Sequence, residues 1–259
     1  MKKIISLVLV VASLVIFGGC KTAAPIAASP EKNTYVLVPG AWGGGWDWRH
    51  VDDLLTADGN KVFRSTLTGL GERVHLVSTN IDLDTHIQDV VNVILWENLH
   101  DVVLVGHSYG GMVVTGVADR VPERLKRVVY VDAMLPENGE SVLTAMPPAH
   151  ANRLQIRDGF VLSAGANRRP PHDVAMPLKC FTEPIFLAGR PAKFPATYIL
   201  TVDAGQPPAQ DEFYKFYQRA QARGWPVRVM SGDHNVQRTH PQELARLLEQ
   251  AAQSGGRPN

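Results

Sequence analysis

The pentapeptide Gly106-His107-Ser108-Tyr109-Gly110 constrains this chain more than any other feature. It follows an apolar run, Val102-Val103-Leu104-Val105, and precedes Gly111-Met112-Val113-Val114, which reads as the start of a helix. A serine between two glycines at that spacing, entered from a strand and left by a helix, is a nucleophile elbow. The turn is so sharp that a Cβ on either flank would clash, hence the glycines. It lifts the serine hydroxyl clear of the sheet. The next backbone N–H groups then sit at a helix N-terminus, where they suit an oxyanion. A buried turn serine is the plain alternative, and the strand before and helix after weigh against it.

The elbow sits within an alternation of strands and helices. Tyr35-Val36-Leu37-Val38 is a fully apolar strand, Trp48 to Ala57 has helical spacing, and Lys61-Val62-Phe63-Arg64 is a short second strand. Leu83 to Trp96 carries Ile87, Val90, Val91 and Ile94 on one helical face. Val128 to Val131, Tyr198 to Leu200 and Val227 to Met230 read as further strands, with helices at about 210–222 and 241–252. Such alternation implies a parallel sheet covered on both faces, and 259 residues suit one large α/β domain over 34–259. Residues 133–196 break the rhythm with nine prolines and apolar Met134, Leu135, Met146, Phe160, Phe181 and Phe186. Inserted just after a sheet strand, that stretch is expected to fold over the carboxyl ends of the strands as a cap.

The N-terminus has a different character. Lys2-Lys3, an uncharged apolar run from Ile4 to Phe17, and Gly18-Gly19-Cys20 read as an export signal over residues 1–20. The run of 14 residues is short for a bilayer span. Small residues before a cysteine resemble a bacterial lipobox, with Cys20 the lipidated residue, although Phe17 stands where an aliphatic side chain is usual. Cleavage near Ala27-Ala28 or an uncleaved anchor are the alternatives. Residues 21–33, with Ala-Ala-Pro and Ala-Ala-Ser-Pro, read as a tether. The expectation is an exported protein, periplasmic or at the cell surface, whose membrane contact is a lipid anchor. Lipidation leaves Cys180 as the one thiol, hence no structural disulfide. Without residues 1–19 there are 24 basic and 25 acidic residues, a balance that offers nucleic acid no basic surface. No C-x-x-C pair or H-E-x-x-H helix is present, so neither a metal nor a cofactor is expected.

A serine hydroxyl needs a base, usually an imidazole held by a carboxylate. With an elbow of this kind the partners follow in the chain order serine, acid, histidine. His234, in Ser231-Gly232-Asp233-His234-Asn235 directly after the last strand, is the expected base; His240 precedes Pro241 and reads as a helix start, and His172 lies in the Pro-rich cap. Asp203, just after the Tyr198 strand, is the preferred acid, with Asp132 at the end of an earlier strand as competitor. Asp211 reads as a surface residue and Asp233 as a turn former. The glycine-rich Pro39-Gly40-Ala41-Trp42-Gly43-Gly44-Gly45-Trp46 after the first strand should bring the Ala41 N–H beside that of Tyr109 as the oxyanion pair. Trp42, Met134 and Leu135 are the expected substrate-pocket residues, whereas Trp46 and Trp48 are expected to pack.

These residues carry a resemblance. The chain is similar, from about Tyr35 to Ala251, to the α/β-hydrolases, and within them to the esterase and hydroxynitrile lyase group of small serine carboxylesterases. The markers are Pro39-Gly40-Ala41-Trp42 with Trp46 and Trp48, Thr68-Gly69-Leu70-Gly71-Glu72-Arg73, Gly106 to Gly111, Val131-Asp132-Ala133-Met134-Leu135-Pro136 and Gly232-Asp233-His234. The resemblance implies an α/β-hydrolase fold with its cap after Asp132 and ester hydrolysis on small or aromatic substrates. The family usually has His-Gly where this chain has Pro39-Gly40, so that histidine's role does not carry over. The segment before Asp203 is one residue shorter than usual. Lyases of the group place a lysine directly after the catalytic histidine, where this chain has Asn235, and tend to carry threonine at the place of Gly40. Both differences favour ester hydrolysis over carbon–carbon cleavage. A slow-turnover ligand-binding protein built on the same triad is the third reading.

Overall fold

In the computed structural model, residues 33–163, 169–188 and 194–253 are described, all within one compact unit of residues 31–259. The expected signal, Cys20 and the tether up to residue 32 lie outside the described residues. Among those described, six parallel strands form the main sheet: β1 (Thr34–Val38), β2 (Lys61–Arg64), β3 (Val102–Ser108), β4 (Leu125–Ala133), and two later ones. Between β4 and the last two come three short strands, β5 (Gln155–Arg157), β6 (Phe160–Leu162) and β7 (Met176–Pro177); β8 (Ala196–Val202) and β9 (Val227–Ser231) then complete the sheet. Its order is β2-β1-β3-β4-β8-β9, with β3 central and the elbow at its carboxyl end.

The strands β1, β3, β4 and β8 are almost continuous apolar runs, as expected for a sheet buried on both faces. One face packs on α1 (Arg49–Ala57) and, at the chain's end, the helix Pro241–Gln253; Leu55, Val51, Leu244 and Leu248 meet Val103, Val105 and Ile199 there. The other face packs on α2 (Leu83–Trp96) and α3 (Gly110–Arg120), through Ile87, Val90, Ile94, Val113 and Val117. Asp82 starts α2 by accepting the Thr85 N–H on its side chain, which satisfies one of the open amides of the first turn.

Residues between β4 and β8 form the cap: α4 (Val142–Ala145), α5 (Pro148–Ala151), the antiparallel β5-β6-β7 and α6 (Lys179–Thr182). The hairpin β5–β6 turns at Asp158-Gly159, both with positive φ (51° and 79°), the conformation that a two-residue hairpin turn demands. An Asp-Gly pair ahead of the apolar Phe160-Val161-Leu162 is a signal for this hairpin that the composition-based reading of the cap passes over. The cap is fastened at two places. Arg219, on α7 (Tyr214–Ala222), pairs with Glu140 at 2.7 Å and bonds the Leu135 carbonyl, while Arg223 pairs with Glu137 at 2.8 Å. On the other side the Trp42 indole N–H donates to the Val161 carbonyl at 3.1 Å, and the Val174 N–H donates to the Trp42 carbonyl at 2.9 Å.

Candidate active site

Ser108 is the last residue of β3 and has φ 54°, a left-handed conformation that a side chain rarely adopts. The neighbouring glycines explain how the turn is accommodated. A Cβ at Gly106 would lie 2.7 Å from the Gly110 carbonyl oxygen, and one at Gly111 would lie 1.9 Å from that of Met134. A Cβ at Gly110 would lie 2.9 Å from the Val38 carbonyl oxygen, so helix α3 can start against the ends of both β1 and β4 only with glycine at these places. Tyr109 follows Ser108 as the residue before α3, and its buried ring is fixed from behind. Its hydroxyl lies 3.0 Å from His86 Nδ1, and His86 Nε2 donates to the Thr68 carbonyl at 3.0 Å, which makes Nδ1 the acceptor from tyrosine. Thr68 is held in turn by Asp89, which also meets Arg73 at 3.4 Å. The Thr68–Arg73 motif thus builds the floor under the residue after the serine.

His234 Nε2 stands 2.9 Å from Ser108 Oγ, and His234 Nδ1 stands 2.6 Å from Asp132 Oδ2. Asp132 is 1% exposed, and its Oδ1 accepts the Thr201 N–H at 3.0 Å. With a carboxylate facing Nδ1, the proton sits there and leaves Nε2 to accept from the serine. Burial pushes the His234 pKa down, but the hydrogen bond and charge of Asp132, with Glu212 and Asp211 beyond it, more than offset this and hold it above the ordinary histidine value. The Phe213 ring stacks on the imidazole at 4.8 Å, fixing its plane. On its other side the buried His107 Nε2 donates to the His234 carbonyl at 2.7 Å, and burial keeps His107 neutral well below the usual range.

The expectation that Asp203 holds His234 is corrected by this geometry. Asp203 is exposed, beyond the end of β8, where its carbonyl closes a turn with Gln206. Asp132 instead lies on the strand next to β3, and a bulge aims it. His107 pairs with Val131 and Ser108 with Ala133, so Asp132 is the extra residue, at φ 44°. The bulge turns its side chain from a sheet face toward the carboxyl edge. Asp211, expected on the surface, is partly buried, and burial and the charge of Asp132 raise it to about 6. Asp233 does shape the turn: it accepts the Asn235 N–H at 2.8 Å and the Thr239 hydroxyl at 3.0 Å.

Two cavities open beside Ser108. One, of about 170 Å³, is bounded by Trp42, Met134, Met146, Phe181, Phe213 and Phe216. The other, of about 330 Å³, has Arg153, Asp47, Asp173, Asn235 and Arg238 in its wall. Ala41 borders both, and Tyr109 borders the smaller. Trp42 and Met134 thus face cavity space. Leu135 does not: it is fully buried beneath the cap and borders neither cavity. Trp48 is fully buried with its ring edge against His107, and Arg238 lies over the Trp46 ring at 4.4 Å. Sequence reasoning passed over Phe213, His150, which borders the smaller cavity and meets Glu212 at 2.7 Å, and the Asp47–Arg238–Asp173 group. These five positions come from five separate segments, and no local pattern marks them. Among the described residues no cluster of histidine, cysteine and carboxylate side chains has the makings of a metal site.

The fold, the elbow and the hydrogen-bonded serine, histidine and aspartate coincide with a match of residues 35–247 to the model of the alpha/beta hydrolase family. The chain belongs to that family. It is 36% identical over 240 residues to a carbendazim hydrolyzing esterase of Nocardioides sp. (strain SG-4G), covering 83% of this chain and 97% of that protein. It is 30% identical over 111 residues to salicylic acid-binding protein 2 of Nicotiana tabacum, 42% of each chain. Among solved structures, an extracellular alpha/beta-hydrolase from a Paenibacillus species superposes with a TM-score of 0.72 at 24% identity, over 86% of this chain and all of that one.

Proposed function

We propose that this α/β-hydrolase is a serine carboxylic-ester hydrolase acting on small or aromatic esters through an acyl-enzyme. The observation that carries the reading is the unbroken hydrogen-bond chain from Ser108 Oγ through His234 to Asp132. Ser108 Oγ attacks the ester carbonyl while its proton passes to His234 Nε2. The imidazolium that forms is stabilised by the Asp132 carboxylate. The carbonyl oxygen becomes an oxyanion between the backbone N–H groups assigned to Ala41 and Tyr109, donors each worth roughly 3–4 kcal/mol in acyl transfer. His234 then returns the proton to the departing alcohol. Water, deprotonated by the same nitrogen, hydrolyses the acyl-serine and regenerates the enzyme. Similarity to a named esterase over nearly its whole length supports the reaction class, and Asn235, a neutral side chain after His234, supports hydrolysis over carbon–carbon cleavage. The modest cavities beside the serine support substrates of limited size.

Acetate, butyrate and palmitate esters of one chromogenic alcohol test the reading, together with Ser108→Ala. Short esters should be hydrolysed best, and Ser108→Ala should fold and lose at least about 99% of turnover. A folded Ser108→Ala with larger residual activity would remove the serine from the mechanism, and a palmitate preference would make the enzyme a lipase. Export and lipidation at Cys20 belong to the same proposal: the charged start, apolar run and small residues before the cysteine support them. Cys20→Ser should move the protein out of the membrane fraction with activity intact. Retention in membranes would mean that the apolar run is an uncleaved anchor.

A further inference from the structure

The cavities beside Ser108 differ in chemistry as well as in size. The smaller is mostly apolar, with the His150–Glu212 pair at its margin, and suits a hydrocarbon limb. The larger is walled by charge, which is costly to bury unless each group finds a partner. Asp47, only 4% exposed, has its partners: Arg238 pairs with one oxygen, and the carboxylate also accepts a backbone hydrogen bond from Gly44. Arg238 is engaged by that pair and by the face of Trp46.

Asp173 stands apart. Its Oδ2 accepts from the Ser163 hydroxyl at 3.1 Å. Its Oδ1 is out of contact with solvent, yet it takes no hydrogen bond among the described residues. Arg238 Nη2 lies 3.7 Å away, near enough for attraction and too far for a hydrogen bond. So placed, Oδ1 leaves no room for a further donor; the 24% of the side chain that is exposed in the cavity wall lies on its Oδ2 edge, where an oxygen that accepts one hydroxyl keeps a further lone pair. The side chain is also fixed. The next residue, Val174, donates its N–H to Trp42, and His172 Nδ1 donates to the Asp173 carbonyl at 2.8 Å. The segment bearing Asp173 is therefore tied to the loop that carries Ala41.

We propose that Asp173 is a specificity-determining residue, whose Oδ2 accepts a hydrogen bond from an N–H or O–H group on the substrate limb lying in the charged cavity. The inference rests on the esterase reading and deepens it. The favoured esters carry a hydrocarbon limb for the Phe213 side of Ser108 and a hydrogen-bond-donating limb for the Asp173 side.

Two matched pairs of esters test it: 4-aminophenyl against 4-methylphenyl acetate, and methyl (4-aminophenyl)acetate against methyl (4-methylphenyl)acetate. Amino and methyl groups are close in size, and the first pair places the donor on the alcohol limb, the second on the acyl limb. In at least one pair the amino member should have a kcat/KM about tenfold higher after correction for its rate with hydroxide, equivalent to about 1.4 kcal/mol. Asp173→Leu should reduce that ratio to below about twofold, and Asp173→Asn, which keeps a weaker neutral acceptor, should leave an intermediate ratio. The Asn variant decides the matter if the Leu variant fails to fold. No amino preference in either pair, or a preference that survives both substitutions, overturns the proposal. Calorimetric binding of the same four esters to Ser108→Ala separates the two levels of inference. An amino preference in binding without turnover by the intact enzyme would leave Asp173 in its role and refute the esterase reading alone.

Discussion

The assignment of Asp132, rather than Asp203, as the partner of His234 makes a quantitative prediction. Replacing Asp132 by asparagine leaves the carbonyl-type oxygen to accept from Thr201 N and turns the amide N–H₂ toward His234 Nδ1. The imidazole must then carry its proton on Nε2, where it blocks rather than accepts the proton of Ser108. The charge contribution is also lost. At 2.6 Å a full ion pair attracts by about 6 kcal/mol at an effective dielectric of about 20. Because His234 is 33% exposed, screening reduces this to about 4–5 kcal/mol. Each 1.36 kcal/mol in the barrier is about tenfold in rate, so kcat should fall by about 10³–10⁴. Asp203→Asn, at an exposed turn, should stay within about twofold of the parent. Stopped-flow or steady-state hydrolysis of a chromogenic acetate, with circular dichroism to verify folding, measures both. If Asp132→Asn kept more than a tenth of kcat while Asp203→Asn lost a hundredfold, the bulge at Asp132 would have no catalytic meaning and the acid would be Asp203.

Other perturbations follow from the same geometry. Activity needs neutral His234, whose pKa is held above the ordinary value, so kcat/KM should rise with pH through a limb lying above about 6.5; Glu212→Gln should move that limb to lower pH, and an unmoved limb would exclude Glu212 as a contributor. The stability linked to His234 has the opposite sign: it is fully present below the histidine range and is lost as pH rises through the raised folded-state pKa, which urea melts at several pH values will register. Gly111→Ala drives a methyl into the Met134 carbonyl and should destabilise by roughly 4 kcal/mol or more in a denaturant titration; a loss under about 1 kcal/mol would mean that the elbow tolerates a side chain there. His107→Ala removes the donor to the His234 carbonyl and leaves a cavity beside Trp48, at a cost of about 3 kcal/mol, with a fall in kcat larger than any change in KM.

What could be read in the chain alone was set by local physics. Each sheet strand and each long helix announces itself through apolar spacing, and Ser108 and His234 through their places at the ends of apolar strands followed by glycine or turn residues. The acid was not legible, because Asp132 and Asp203 both follow strands and only the register between β3 and β4 distinguishes them. A one-residue bulge leaves no mark in composition. The cap was legible as an insertion and illegible inside, since its elements are four residues or fewer and owe their form to contacts such as Trp42 with Val161. Leu135 shows the same limit: an apolar side chain next to Met134 in sequence points away from the cavity into the core.

Strain ties the elbow and the acid into one unit. Ser108 and Asp132 both have positive φ, each an unfavourable conformation for a residue with a side chain, and they occur on adjacent strands at the same level of the sheet. The ladder that holds them continues past both: the Met134 N–H donates to the Ser108 carbonyl at 3.0 Å, and the Ala133 N–H and carbonyl are both bound by the Tyr198 hydroxyl, at 3.1 and 2.6 Å. Met134 is also the residue whose backbone meets Gly111. The turn after β3 and the bulge in β4 are therefore not independent features. A side chain at Gly111 would displace Met134, and with it the hydrogen bond that sets Ser108 opposite Ala133 and leaves Asp132 as the odd residue facing His234. The cap begins at this same point, so its first residues are anchored by the contacts that aim the serine and the acid.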